Sequence, residues 1–140
     1  MGLSAVVFRN VSELEKQFGA GLFDVDEMTG EAIPKPGKHI DVPRTSFFAI
    51  QRRIGNVSEV EHLRAIVEQL WPGQESVIGK QILYSGSHSG DAIEPNDYSR
   101  LQEEISLLKS MGVMQLAGVI ETMESLLIAA KAERNPIVFV

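Results

Sequence analysis

Apolar positions recur along this chain at two different spacings, and each spacing predicts a different kind of element. Helical spacing marks one apolar face in each of three stretches, Ser58–Trp71, Pro95–Ser110 and Leu116–Arg134. Short, partly β-branched apolar runs at Leu3–Phe8 and Ile137–Val140 predict strands near the two ends. We therefore expect an α+β fold, with a small mixed sheet packed in a single pair of layers against about three to four helices.

Two copies of the sequence Asn-Val-Ser-Glu predict helix starts by side-chain capping. In a capping box, a Ser hydroxyl accepts from the amide three residues on, while a Glu at that position reaches back. The two predicted pairs are Ser12 with Glu15 and Ser58 with Glu61. The first helix should end near Phe18, before Gly19, and Pro72-Gly73 should end the second.

The remaining segments have weaker patterns. Val77–Ser85 is a short apolar run that predicts a strand. Gly21–Arg44 is rich in Gly and Pro, and its candidate strand pieces are Leu22–Val25 and Ile40–Val42. The pattern of Thr45–Ile54 fits a strand or a helix equally.

Length and composition bound the class of protein. A chain of 140 residues with 44% hydrophobic and 23% charged side chains is typical of one globular domain, here residues 1–140. No apolar run approaches the roughly 20 residues that cross a bilayer, so we expect no membrane association. The absence of cysteine excludes disulfides and thiolate chemistry. Because the first residues lack the regions of a secretion signal, we expect a cytoplasmic location.

The charge of the chain is acidic and unevenly distributed. The formal net charge is −6, and residues 91–140 hold eight acidic side chains against four basic ones. Nucleic-acid binding depends on Lys and Arg side chains that neutralise phosphates, so we expect no nucleic-acid partner. An acidic surface favours a basic protein partner by steering the encounter, although surface charge also serves solubility.

Chemically versatile side chains concentrate between Ile82 and the predicted helix at Pro95. Ser87, His88 and Asp91 lie close in sequence, so one hypothesis is a small hydrolase or ligand-binding protein that uses them. Catalytic triads, however, are assembled from separated parts of a chain. A nucleophile elbow would also need a serine at the position of His88, midway between two glycines. The other hypothesis is a loop whose exposed hydroxyls, imidazole and carboxylate contact another protein.

The histidines do not form the pattern of a metal site. His39, His62 and His88 are scattered, and no two of them have the i, i+4 spacing that places two imidazoles on one helix face. We therefore expect no metal, no other cofactor and no catalytic residues.

Four parts of the chain, taken in order, resemble one family of bacterial proteins. They are Met1-Gly2-Leu3, Ile82-Leu83-Tyr84-Ser85 with Ser89-Gly90-Asp91, Leu101-Gln102-Glu103-Glu104-Ile105, and Pro136-Ile137-Val138-Phe139. Their order and spacing are similar to those of the Immunity protein 70 family of polymorphic-toxin systems. The segment 21–56 has no counterpart in the resemblance.

The resemblance implies an immunity protein that neutralises a toxin domain, delivered by neighbouring cells in contact-dependent inhibition or made by the same cell. It implies that an acidic surface docks on a basic, nuclease-like toxin and occludes its active site. The predicted contact surface is the loop Ser85–Asp91 with the polar face of the helix Pro95–Ser110. Its candidate residues are Ser85, Ser87, His88, Asp91, Glu94, Asp97, Glu103 and Glu104.

The last predicted helix, Leu116–Arg134, suggests a further partner. Leu126, Leu127 and Ile128 are consecutive, so apolar side chains surround much of the circumference of this helix. Such a helix is either buried in the centre of the fold or paired with another chain. A homodimer through this helix is therefore the alternative to central burial.

Overall fold

Two antiparallel sheets and four α-helices make up residues 2–72 and 76–140, the part of the chain described by the structure, a computed structural model. The strands are β1 (Gly2–Phe8), β2 (Phe23–Val25), β3 (Ala32–Pro34), β4 (Phe48–Asn56), β5 (Ala92–Ile93) and β6 (Ile137–Phe139). The α-helices are α1 (Val11–Phe18), α2 (Val57–Leu70), α3 (Tyr98–Met111) and α4 (Ala117–Glu133). Short 3-10 helices cover Arg44–Phe47, Pro95–Asp97 and Met114–Leu116, and a π-helix covers Ile78–Ile82.

The main sheet has the strand order β4-β1-β6-β5, and each neighbouring pair in it is antiparallel. Its longest pairing joins β1 to β4, from Gly2 opposite Asn56 to Phe8 opposite Phe48. The strands β2 and β3 form a separate hairpin. The predicted α+β class is confirmed, and over the described residues the sheet is antiparallel rather than mixed.

The helix α4 forms the centre of the core, where it lies against β1 and β4. Its buried side chains include Met123, Leu126 and Leu127, which pack with apolar side chains of the sheet, α2 and α3. Ile128, by contrast, is 65% exposed. Burial within one chain therefore accounts for most of the wide apolar circumference of this helix, and the homodimer remains a prediction.

Three phenylalanine rings form a second, smaller apolar cluster beside the main core. Phe18, Phe23 and Phe47 meet edge to face, with ring centroids 5.7 to 6.4 Å apart. This cluster packs α1 against the turn-rich segment Gly21–Arg44, which includes the β2–β3 hairpin. The segment Ile40–Val42 is not the predicted strand, and its Ile40 and Val42 side chains pack against this cluster.

Both copies of Asn-Val-Ser-Glu begin helices, but the capping residue is the asparagine. Asn10 Oδ1 accepts from the Ser12 amide at 2.9 Å, and Asn56 Oδ1 accepts from the Glu59 amide at 2.8 Å. The prediction that Ser12 and Ser58 cap these helices is therefore wrong, because the capping asparagine lies two positions earlier in each case. Each helix begins directly after its asparagine, whose side chain satisfies one of the amides that a helix start leaves unpaired.

The apolar run Val77–Ser85 contains the π-helix and is not the predicted strand. The backbone amides of Val77 and Ile78 donate to the carboxylate of Glu104 on α3 at 2.8 and 3.0 Å. A short buried run fits a strand or a helix equally by its pattern, so this contact decides between them.

The ambiguous segment Thr45–Ile54 divides into a 3-10 helix and β4. The predicted stop at Gly73 lies outside the described residues.

Candidate protein-binding site

The loop between the π-helix and β5 is attached to the edge of the main sheet by backbone hydrogen bonds. The Gly90 amide donates to the Phe139 carbonyl at 2.8 Å, and the Phe139 amide donates to the Asp91 carbonyl at 2.8 Å. Gly90 has a φ of +97°, a conformation that favours glycine and lets the chain turn into β5. The sheet therefore holds the loop in place immediately before α3.

His88 is a buried side chain, not the exposed anchor that the sequence predicts. Its imidazole is only 4% exposed, and it lies between the rings of Tyr84 and Phe139, with centroids 4.4 and 4.6 Å away. The Nε2 atom lies 2.7 Å from the carbonyl oxygen of Ile82, to which it donates. Packing and this hydrogen bond give His88 a structural role, in which it joins the loop to the π-helix and to β6.

Asp91 links two aromatic side chains of the loop. Its Oδ2 atom lies 3.3 Å from His88 Nδ1, although Nδ1 has no partner of hydrogen-bond geometry among the described residues. The Tyr84 hydroxyl donates to the same carboxylate oxygen. This hydrogen bond is the main reason why the pKa of Tyr84 is raised to about 12, with burial and the negative charge of Asp91 as further causes.

The proximity of Ser87, His88 and Asp91 does not produce a catalytic triad. A serine nucleophile needs an imidazole nitrogen that accepts its proton. His88 Nε2 faces a backbone carbonyl and Nδ1 faces Asp91, so neither ring nitrogen is directed at a hydroxyl. Ser87 itself is exposed, and its backbone amide donates to Ser85 Oγ at 3.2 Å. The loop is thus held to β6 by backbone hydrogen bonds, and the Ser87 side chain is exposed at its surface.

Three of the predicted acidic contact residues carry carboxylates without an ion-pair partner in the described part of the chain. Glu94 and Glu103 are exposed, and Asp97 is half-buried at the start of α3. Acidic side chains near a helix start also stabilise the helix by offsetting its dipole, so their presence at Glu94 and Asp97 has a structural benefit as well.

Glu104 is directed inward and is not part of the exposed acidic surface. Its carboxylate is 11% exposed and accepts from Ser76 Oγ at 2.8 Å, in addition to the two backbone amides of the π-helix. The Arg100 guanidinium lies 3.6 Å away on the same helix. The expectation that Glu104 offers charge to a partner is therefore wrong, because its charge is used within the fold.

Two apolar residues that the sequence analysis did not single out share the exposed side of α3. Leu107 is 46% exposed and Met111 is 42% exposed. They follow Glu103 at steps of four residues, which places all three along one line of the helix surface. The adjacent pair Leu107-Leu108 could have predicted an exposed leucine, since only one of two neighbouring residues on a helix faces the core. We use the name α3 face for Glu103, Leu107 and Met111 together with Glu94 and Asp97, which lie just before the helix.

The part of the chain that the structure describes offers no cluster of three or more His, Asp or Glu side chains arranged to hold a metal. Among the helices of residues 2–72 and 76–140, none has the length and apolarity needed to span a membrane.

A cavity of about 300 Å³ beside the loop is lined by Lys80, Gln81, Tyr84, Asp91 and Ala92.

Comparison of the chain with models of protein families, with curated proteins and with solved structures found no match. The resemblance to the Immunity protein 70 family therefore stays a prediction.

Proposed function

We propose that the protein is an immunity protein that binds a basic, nuclease-like toxin domain through the α3 face and blocks its active site. The observation that carries this proposal is the composition of that face, where unpaired carboxylates adjoin two exposed apolar side chains. High-affinity interfaces commonly combine charge around the contact with a few apolar anchors inside it.

The two parts of the α3 face would have different roles in binding. Glu94 and Asp97 precede α3 and Glu103 lies in its second turn. These carboxylates would attract a positively charged partner, which raises the association rate. Leu107 and Met111 lie toward its end and would be buried on contact, which slows dissociation. A nuclease groove is basic because it holds phosphates, so an acidic helix is a suitable competitor for it.

Growth rescue and calorimetry test the proposal directly. The toxin domain encoded next to this gene would be expressed with and without the protein, and the purified partners would be titrated. We expect restored growth and a tight one-to-one isotherm. A toxin that still kills, or a titration without heat at any concentration used, would refute the proposal.

Charge reversal tests whether the α3 face, and not the acidic surface in general, attracts a basic toxin. The substitution Glu103→Arg should lower the association rate for a basic toxin, and the effect should shrink as salt screens the interaction. The matched control is Glu61→Arg, at another exposed helical carboxylate without an ion-pair partner among the described residues. Equal association rates for the two variants at low salt would exclude the α3 face as the steering surface.

Truncation of the apolar side chains tests the anchors. We expect Leu107→Ala and Met111→Ala each to raise the dissociation rate by about fivefold or more, which corresponds to an anchor worth more than 1 kcal/mol. Ile128→Ala, at a side chain 65% exposed on α4, is the control for lost apolar surface elsewhere. If all three substitutions have the same small effect, the α3 face is not the centre of the interface.

A further inference from the structure

A groove of about 480 Å³ lies where α3 turns into α4. Its apolar lining comes from Leu108, Val113, Met114, Ala117 and Ile120. A volume of this size falls within the range of about 300–1,000 Å³ that ligand clefts occupy. Met114 is 87% exposed although it is apolar, so the mouth of the groove carries an apolar side chain that the fold leaves uncovered.

The charges around the groove favour a positively charged occupant. Glu121 lines it, is exposed, and has no ion-pair partner within the described ranges. The cation beside it, Lys109, lies 2.9 Å from the Glu124 carboxylate, which neutralises it. The C-terminus of α3 at Gly112 and the N-terminus of α4 at Ala117 both lie at the groove, so their opposite partial charges offset each other and Glu121 supplies its net charge. The rim of the groove is therefore negative while its interior is apolar.

We propose that this α3–α4 groove receives an apolar side chain of the toxin domain from a segment that also carries Lys or Arg. The identity of the partner rests on the proposed function, whereas the position of the contact rests on the groove itself. A flexible thioether such as that of Met114 adapts its shape to an incoming side chain. A second copy of this chain fits less well, because two chains of net charge −6 repel each other.

Methionine methyl groups provide a direct probe of the groove. The chain has five methionines, so protein labelled with ¹³C at the methionine methyl groups gives a small set of NMR signals. Met114 reports on the groove and Met111 on the α3 face. Met28, which is 73% exposed near the β2–β3 hairpin, and Met123, which is buried in the core, are internal controls. The labelled protein would be titrated with the unlabelled toxin domain.

We expect the Met114 signal to shift or broaden on addition of the toxin domain while the Met28 signal stays constant. Binding with a shifted Met111 signal and an unchanged Met114 signal would overturn the groove proposal but leave the proposed function intact. Absence of binding would overturn both. A Met114 signal that changes with protein concentration in the absence of toxin would show self-association and overturn the choice of partner.

Two substitutions test whether the groove contributes affinity. Ala117→Tyr places a large side chain in the groove, and we expect toxin binding to weaken by about tenfold, the effect of a lost interface anchor. Its control is Ala132→Tyr, at an exposed alanine near the other end of α4. Met114→Gln, at a side chain too exposed to matter for folding, should also weaken binding. Affinities equal to the unsubstituted protein for both groove variants would refute the proposal.

Discussion

Removal of the Glu104 carboxylate should destabilise the fold far more than removal of its neighbour Glu103. The carboxylate is 11% exposed and accepts three hydrogen bonds, from Ser76 Oγ and from the amides of Val77 and Ile78. In Glu104→Ala these donors lose their acceptor in a region where Val77 and Ile78 are almost fully buried. The loss therefore combines a broken interaction with unsatisfied buried amides.

The magnitude follows from the number and type of these bonds. A buried donor without an acceptor costs about 1–3 kcal/mol, and loss of one partner from a buried charged contact costs about 3–5 kcal/mol. Because the Ser76 hydroxyl can rotate to another acceptor, we expect Glu104→Ala to lower the free energy of unfolding by about 3–5 kcal/mol. Glu104→Gln keeps one acceptor oxygen and should lose about half as much.

Urea unfolding, followed by circular dichroism and by fluorescence of Trp71, measures this loss. Trp71 is the single tryptophan and is partly buried against the core. With an m-value of about 2 kcal/mol/M, the midpoint of Glu104→Ala should fall by about 2 M. The control Glu103→Ala, at an exposed position, should change stability by less than about 0.5 kcal/mol. If the two alanine variants unfold at the same midpoint, the contact between α3 and the π-helix does not stabilise the fold.

Further predictions concern tyrosine ionisation and two glycines. Tyr84 and Tyr98 are the two tyrosines, and the pKa of each is raised to about 12, for Tyr98 by burial. The native protein should show little tyrosinate absorbance at pH 11, whereas the unfolded chain should be largely ionised there, since its tyrosines titrate near pH 10. Because these pKa values are raised in the folded state, the tyrosine contribution to stability is complete below about pH 10 and is lost as the pH rises to about 12. Native titration near pH 10 would contradict both assignments. Gly86→Ala should destabilise strongly, because its Cβ would lie 2.7 Å from the Val57 Cα atom. Gly118→Ala, whose Cβ meets nothing within 4 Å, should instead stabilise α4 by up to about 1 kcal/mol, as thermal unfolding would show.

Local sequence patterns predict much of the fold, because burial within a helix repeats at regular spacing. The apolar face of the predicted helix Pro95–Ser110 consists of Tyr98, Leu101, Ile105 and Leu108, and all four are buried in the structure. The strands near both ends form as β1 and β6. Such elements can be predicted since every residue of the stripe contributes to the same signal.

The candidate site could be predicted only in part. Exposure of Glu94 and Glu103 agrees with the expectation of an acidic surface. Glu103 and Glu104 are identical in type and adjacent, yet one faces solvent and the other accepts hydrogen bonds from the π-helix. The neighbours of His88 in sequence are of the types found in surface loops, yet its ring packs between those of Tyr84 and Phe139.

The α+β class follows from sequence patterns alone, as do the apolar faces of the long helices and the acidic charge of the last third of the chain. These features depend on residue type and on spacing within one element. Tertiary contacts determine that Ile78–Ile82 is helical and that Glu104 and His88 have structural roles. Glu104 accepts from residues 26 to 28 positions earlier in the chain, and His88 packs against Phe139. Local spacing does not encode such contacts, and a buried polar group is stable only where the fold brings a partner to it.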